Sequence, residues 1–302
     1  MQVSTRQFFN AQNENMVDLK TDIAKVQQQI ATGKMLEIPS DSPVAFSDAA
    51  RLKHQLAKFE QYNRNMTNLL QKTEAEEATL SDATNILTRI TELTLQGAND
   101  TLSAKDRKII AGEIDQLRES LIQLANVKDN SELAIFGGFK GNIDPFVEDE
   151  NGVVAFVGDT NVQSVEIADG IETRANGNGF EIFMQVRVAG AKRVSSVFQL
   201  VSDVIKKLNA GESCSNEVAG VRAALEQVNI AQMIAGTRIA KVSRQQESLA
   251  TVQLQAKTML SAVEDTDIEK AVSELKQKML SLDASQASFV KIADLSLFNY
   301  LR

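Results

Sequence analysis

Apolar residues near the start of the chain recur at alternating steps of three and four positions. They are Met16, Leu19, Ile23, Val26 and Ile30. This heptad spacing is typical of a helix that packs along its length against another helix. We expect the helix to end at Gly33, because glycine adopts the left-handed conformation of a C-cap without steric cost.

A much longer helical pattern follows a polar loop. Ser42 and Pro43 suit an N-cap and a first helical position, and the next proline is Pro145. Apolar residues keep the heptad spacing, with one polar interruption, as far as Gly97. We therefore predict one helix from about Pro43 to Gly97, on the order of 75 Å long at 1.5 Å per residue.

A third helix is expected after Ser103. Asp106 lies three residues further on and completes a pattern that resembles a capping box. The apolar seam of this helix comprises Ile110, Ile114, Leu117, Leu121 and Leu124. Helices are thus predicted for most of the N-terminal part of the chain.

The middle of the chain has a different composition. Across residues 134–194, glycine, asparagine and aspartate turns separate short β-branched runs. Asn151–Gly152 lies between two such runs and is a strong hairpin signal. Residues 162–167 and 180–188 alternate in the manner of strands. We predict a small β domain inserted between helices.

Helical patterns return towards the C-terminus. We expect a helix over residues 196–208 and a second very long one over 216–264. The acidic segment 264–267 interrupts the seam, and Thr266 with Glu269 forms a capping-box pattern that would start a last helix. The seam of that helix comprises Ile268, Val272, Leu275, Met279, Leu282 and Phe289.

The near-symmetry of this pattern predicts the domain organisation. We expect a mainly α fold, an antiparallel bundle of long coiled-coil-like helices from both termini, with an inserted β domain at the far end of an elongated rod. An N-terminal assembly helix, 1–42, would pair with a C-terminal assembly helix, 266–302. The rod would comprise 43–133 and 195–265, and the insert 134–194.

The terminal seams are candidate interfaces between subunits. An apolar stripe on a helix usually faces the core of its own domain. Here the number and length of the seams favour contacts with other copies of the chain. The predicted subunit-interface residues are Leu19, Ile23, Val26, Ile30, Leu275, Met279, Leu282 and Phe289.

Charge and composition restrict the classes of partner. The formal net charge is −8 and the basic residues are scattered, which disfavours nucleic acid or an anionic membrane as a partner. No apolar stretch approaches the roughly 20 residues of a membrane span. The N-terminus lacks the pattern of a cleavable signal peptide, which leaves export without cleavage open.

Few residues could carry chemistry. His54 is the only histidine and Cys214 the only cysteine, so the sequence supports neither a metal cluster of these residues nor a nucleophile–base pair. We expect His54 on the surface, residues 176–179 in a turn, and the carboxylate pairs Glu76–Glu77 and Asp265–Asp267 to be solvated or capping. The prediction is no catalytic, cofactor-binding or metal-binding residue, no cofactor, and no enzymatic activity.

Four stretches of the chain resemble the flagellin-type axial proteins of the bacterial flagellum. Residues 30–56 are similar to the N-terminal signature of that family, a helix followed by a small-residue turn, a polar loop and an alanine-rich helix start. Residues 80–117 are similar to the next section, and 264–275 to the acidic break before the last helix. The ending at 291–301 resembles family members of the hook–filament junction rather than filament subunits.

The resemblance implies a structural role. Such a protein would form a ring of copies between the first hook-associated protein, on the hook side, and the flagellin filament. It would be secreted unfolded through the flagellar type III export apparatus, with an export chaperone bound near its C-terminus. Two alternatives remain: a flagellin-like filament subunit, and a cytoplasmic helical signalling or binding module.

Overall fold

The computed structural model describes residues 2–129, 131–190 and 194–300, and it is mainly helical. Six α-helices, four short strands and one π-helical turn occur within these residues. The helices are α1 (Gln2–Thr32), α2 (Pro43–Gly97), α3 (Ala104–Ala125), α4 (Val197–Asn209), α5 (Val218–Glu264) and α6 (Ile268–Tyr300). The strands are β1 (Phe146–Glu148), β2 (Val154–Phe156), β3 (Ser164–Ala168) and β4 (Ile171–Arg174), and the π-helical turn is Phe180–Met184.

Several predicted helix ends are confirmed. Helix α2 begins at Pro43 and ends at Gly97, as predicted. Gly33 has a φ of +70°, which explains why α1 ends just before it. The Ser103 side chain accepts a hydrogen bond from the Asp106 backbone N–H and caps α3. These ends follow from local chemistry that is visible in the sequence.

The start of α6 differs from the prediction. The Lys270 backbone N–H donates to Asp267 Oδ1 at 3.1 Å, so Asp267 caps the helix. Thr266 was the predicted cap, but its hydroxyl oxygen is buried and makes no hydrogen bond. Its own backbone N–H instead bonds to the Gly33 carbonyl at 2.9 Å. That long-range hydrogen bond holds Thr266 one residue before the position where it could cap.

The predicted hairpin is confirmed, but one predicted strand is wrong. Strands β1 and β2 pair antiparallel around the Asn151–Gly152 turn, and Gly152 has a φ of +76°. Strands β3 and β4 form a second two-stranded sheet. Residues 180–188 contain the π-helical turn instead of a strand. That turn buries Ile182 and Phe183 in the core, where tertiary packing overrides a weak alternating pattern.

Contacts divide the chain into two compact units whose bounds differ from the predicted ones. The terminal unit comprises Met1–Lys58 and Thr251–Arg302, and the central unit comprises Phe59–Ala250. The prediction placed the boundaries at residues 42 and 265, where helices end. The observed boundaries instead fall inside α2 and α5, so each of these helices contributes residues to both units.

The central unit contains both hydrophobic core clusters found among the described residues. In the larger cluster, Phe146 and Phe183 from the predicted insert have ring centroids 5.4 Å apart, and Phe183 stacks on Phe198 of α4 at 5.8 Å. The predicted insert therefore shares its core with helices and buries no separate one. This explains why contacts place it in one unit with them.

One carboxylate that was expected in solvent lies inside this unit. Glu76 is 1% exposed, and Arg238 Nη1 donates to its Oε2 at 2.8 Å. The backbone N–H of Gly177 donates to the same oxygen at 3.0 Å. The expectation of a solvated Glu76 was wrong, because its partners stand 162 and 101 residues away in sequence.

Candidate assembly interface

Helices α1 and α6 of the terminal unit lie side by side and run in opposite directions. Three contacts define the pairing. The rings of Phe9 and Phe289 meet edge to face, with centroids 5.3 Å apart. Further along, Lys278 Nζ donates to Asp22 Oδ2 at 2.6 Å. At the end of the pair, the Thr266 N–H reaches the Gly33 carbonyl at 2.9 Å.

The inner face of α1 follows the predicted heptad seam and extends it towards the N-terminus. Its partly or fully buried residues step by three and four along the whole described helix. They are Phe9, Gln12, Met16, Leu19, Ile23, Val26 and Ile30, with Gln29 partly buried beside the last of them. Only Val26 among them is fully buried, at 5% exposure. One partner helix therefore covers this face incompletely.

On α6 the structure separates the predicted interface residues into two groups. Leu275, Leu282 and Phe289 are half-buried on the face towards α1. Met279 is 48% exposed, and the neighbouring Lys278 occupies the inner position and places its ammonium group on Asp22. Four predicted residues on α1 and three on α6 thus lie in the helix pair, and Met279 lies outside it.

The terminal unit buries little apolar surface. Its fully buried apolar residues among those described are Val26, Leu36, Ala49, Leu52, Ala256 and Ala271. Thirteen large apolar residues of the same unit are exposed. They are Phe8, Val17, Met35, Ile38, Val44, Phe46, Val252, Leu254, Met259, Ile268, Met279, Leu280 and Val290. These side chains are available for contacts with other chains, which makes the terminal unit a candidate interaction surface.

A short backbone bridge holds the chain where α1 ends and α6 begins. Met35 N–H donates to the Glu264 carbonyl at 2.7 Å, and Lys34 pairs with Asp265 as an isolated antiparallel bridge. The loop between α1 and α2 is thereby joined to the break between α5 and α6. Both breaks are visible in the sequence, and the predicted pairing of residues 1–42 with 266–302 places them at the same end of the helix pair.

Glu264 is the charged centre of this bridge. Lys34 Nζ and Lys53 Nζ each contact its Oε1 at 2.7 Å, and its side chain is 7% exposed, whereas the two lysines are 50% exposed. Burial raises the pKa of Glu264, but hydrogen bonds from Lys34 and Lys53 outweigh that effect, and the pKa lies below its ordinary value. The carboxylate therefore stays charged at neutral pH.

A second ion pair closes the loop between α1 and α2. Lys25 Nζ donates to Asp41 Oδ1 at 2.6 Å, and the backbone N–H groups of Glu37 and Ile38 donate to Asp41 Oδ2. The hydrogen bond from Lys25, with those two from the backbone, lowers the pKa of Asp41 to about 2. The loop is thus held in one conformation by charge and turn geometry.

The described part of the chain contains no arrangement that suggests catalysis. His54 is exposed, as expected. Within the described residues no group of three or more His, Cys, Asp or Glu side chains could hold a metal ion. Among those residues, too, no helix is long and apolar enough to cross a membrane.

Comparison with known proteins shows which class of protein the chain resembles. Residues 3–139 match the family described as the bacterial flagellin N-terminal helical region. The whole chain is 26% identical to flagellar hook-associated protein 3 of Salmonella typhimurium, with all of both chains covered. It is 27% identical to the same protein of Escherichia coli strain K12, with 99% of each chain covered. The chain is thus similar to bacterial flagellar proteins of the flagellin and hook-associated type.

Within that class, the full-length similarity is to hook-associated protein 3. The crystal structure of that protein from Legionella pneumophila has the same fold, with a TM-score of 0.65 at 17% identity over 71% of this chain and 98% of the other. Similarity to filament proteins covers less. The B-type flagellin of Pseudomonas aeruginosa is 28% identical over 42% of this chain and 24% of its own length.

Proposed function

We propose that this chain is a structural subunit of the bacterial flagellum that links the hook-side junction protein to the flagellin filament. The proposal is supported most by the combination of full-length similarity to hook-associated protein 3 and a terminal unit rich in exposed apolar residues. A subunit of an axial assembly needs such a surface, because each copy must bury it against its neighbours.

The proposed partners follow from that position. They are other copies of the chain in a ring, the first hook-associated protein, flagellin, and an export chaperone. The net charge of −8 argues against nucleic acid and anionic membranes as partners. We also propose secretion through the flagellar export apparatus, a location at the hook–filament junction, and no enzymatic activity.

The predicted interface residues test this role at two positions. Ile23→Asp places a charge in the seam between α1 and α6, and Met279→Asp places one outside it. Both changes should abolish filament attachment. Ile23→Asp leaves an uncompensated charge between α1 and α6, and Met279→Asp leaves one on the outer face of α6, where a neighbouring subunit would bury it. The measurement is swimming, together with electron microscopy of the cells and immunoblots for flagellin in the medium.

A matched control is Ile109→Asp on α3 of the central unit, where the native side chain is 64% exposed. This variant should swim normally. Intact hooks that shed flagellin into the medium, with normal secretion of the variant, support the proposal. Normal filaments with both Ile23→Asp and Met279→Asp contradict the assignment of this interface. Long filaments formed by the purified chain alone would favour a filament subunit instead.

A further inference from the structure

Three asparagine residues of the predicted insert are each followed directly by glycine. They are Asn151, Asn176 and Asn178. Asparagine is chemically labile, and a following glycine has no side chain to shield the peptide nitrogen that can attack the asparagine amide. The three Asn–Gly steps share this local chemistry, so their surroundings in the fold decide which of them reacts.

Asn151 lies at the tip of the β1–β2 hairpin, and its side chain is exposed. A Cβ built on Gly152 would lie 3.6 Å from Glu148 Oε1, an ordinary van der Waals distance, so the backbone here is not crowded. The Gly152 N–H donates to the Asp149 carbonyl at 3.0 Å. This hydrogen bond belongs to one exposed turn, which opens locally without loss of core packing.

Asn176 is held by the interior of the central unit. Its Nδ2 donates to the Ile135 carbonyl at 3.3 Å, and the backbone N–H of Gly177 donates to Glu76 Oε2 at 3.0 Å. Glu76 is 1% exposed and is itself bound to Arg238. Both the attacking nitrogen and the leaving amide are therefore fixed, and reaction at Asn176 requires the core to open.

Asn178 is protected in a similar way and is 8% exposed. Its Nδ2 donates to the Thr160 carbonyl at 2.7 Å, and its Oδ1 accepts from the Phe180 backbone N–H at 3.0 Å. A Cβ at Gly179 would lie 2.6 Å from the Phe136 carbonyl oxygen, so the backbone beside the attacking nitrogen is tightly packed. Rotation of the amide towards that nitrogen would break both side-chain hydrogen bonds.

We propose that Asn151 is a site of spontaneous deamidation in the folded chain, and that Asn176 and Asn178 are protected from the same reaction. The Gly152 nitrogen gives up its proton to solvent base and forms a bond to Asn151 Cγ, and the side-chain amide leaves as ammonia. Water then opens the resulting succinimide ring at one of its two carbonyl carbons. The products are aspartate and isoaspartate, nothing is oxidised or reduced, and water is the only co-reactant.

The reaction changes both the charge and the backbone of the hairpin tip. Asn151 follows Glu148, Asp149 and Glu150, so the new carboxylate adds a like charge to an acidic turn, where like charges repel. Isoaspartate also lengthens the main chain by one carbon in the turn that sets the register of β1 and β2. In the proposed function, on which only this consequence depends, an exported chain is not renewed, and the modified form accumulates with age.

The test compares the three Asn–Gly steps in the folded and the unfolded chain. The purified full-length protein is incubated in mildly alkaline buffer, with and without urea, and its tryptic peptides are followed by mass spectrometry. In the folded chain, Asn151 should convert at least about tenfold faster than Asn176 or Asn178, because a single turn opens far more often than a core. In urea the three rates should become similar, since the surroundings that distinguish the steps are lost.

Gly152→Asn is the matched variant. Gly152 has a φ of +76°, which asparagine tolerates better than other side chains do, so the turn is kept while the new side chain shields the peptide nitrogen. Conversion at Asn151 should slow severalfold, and conversion at Asn176 and Asn178 should not change.

Four outcomes overturn the proposal. They are equal rates at the three steps in the folded chain, an Asn151 that reacts only in urea, a difference between the steps that persists unchanged in urea, and an unchanged rate at Asn151 in Gly152→Asn. The reaction is measured on the purified chain. Loss of filament attachment leaves it unaffected, so the two proposals fail separately.

Discussion

Two buried carboxylates, Glu76 and Glu264, have opposite pKa shifts because their surroundings differ. Burial raises the pKa of Glu76 more than the opposing effects of Arg238 and the Gly177 N–H lower it. Burial also raises the pKa of Glu264, but there the two lysines prevail. The two carboxylates differ in their partners. Both lysines that contact Glu264 are half exposed and stay hydrated, whereas Arg238, the partner of Glu76, is buried and loses its hydration.

Arg238→Met should destabilise the central unit by about 3–5 kcal/mol at neutral pH, because Glu76 is left as an uncompensated buried charge. Loss of the arginine raises the pKa of Glu76 further. A raised carboxyl pKa favours the native state below the ordinary value of 4.5 and is unfavourable as pH rises through the raised value. The stability deficit should therefore shrink in acid. Urea unfolding at neutral pH and at about pH 5 measures it.

Arg89→Met is the control for that change. Arg89 belongs to α2, the helix of Glu76, and contacts Glu113 Oε1 at 2.7 Å, but both side chains are about half exposed. Its loss should cost less than about 1 kcal/mol, as for other surface ion pairs. Equal losses for the two variants, or a deficit for Arg238→Met that does not change with pH, would mean that Glu76 is not the charge responsible.

At the scale of the elements, helices with local end signals were predicted well and irregular segments were not. Helix α3 begins where Ser103 caps it, and the Ser103 hydroxyl also donates to Asp106 Oδ2 at 2.7 Å. Residues 180–184 show the opposite case. Their π-helical turn depends on the ring of Phe183 packing between Phe136 and Phe198, and no local pattern signals those partners.

Ser103→Ala should therefore cost about 1 kcal/mol, because an orphan N–H at the start of α3 loses its side-chain acceptor. Ser120→Ala in the same helix is a matched control. The Ser120 hydroxyl donates to the Gln116 carbonyl, a contact that does not support a helix, so alanine there should be neutral or slightly stabilising. Thermal unfolding of the purified chains compares the two. A control that destabilises as much as Ser103→Ala would refute the capping role.

On the scale of the whole molecule, the two units differ in how much apolar surface they bury. Both core clusters lie in the central unit, where Phe136, Phe146, Phe183 and Phe198 are almost fully buried. The described residues of the terminal unit form no such cluster. In the free chain the terminal unit should therefore open at lower free energy than the central unit.

Limited proteolysis with trypsin should show this difference. The first cuts are expected in the terminal unit, at exposed sites such as Lys53 and Lys257, and a fragment close to Phe59–Ala250 should persist. Phe146→Ala should make that fragment sensitive, because loss of a buried ring costs about 3–5 kcal/mol. Early cutting at exposed Arg174 in β4, before the termini, would contradict the expected order of stability.

The sequence alone determined where the long helices lie and where most of them begin and end. Heptad spacing, Gly33, Pro43 and the Ser103 cap are local signals, and each acts on the backbone within a few residues. Of the eight residues predicted at a subunit interface, seven lie between α1 and α6 within the chain. The heptad pattern could not distinguish Met279 from Lys278, because a step of four then three and a step of three then four both lead from Leu275 to Leu282.

Only the tertiary structure decided which distant groups meet. Glu76 is bound to Arg238 and Gly177, and Glu264 to Lys34 and Lys53. The packing of the predicted insert into the helical core is likewise a contact between segments that are distant in sequence. A charge is stable in the interior when a partner compensates it, and an aromatic ring gains from its neighbours. In a chain of this length those partners come from far along the sequence, so their pairing becomes visible only when the chain is folded.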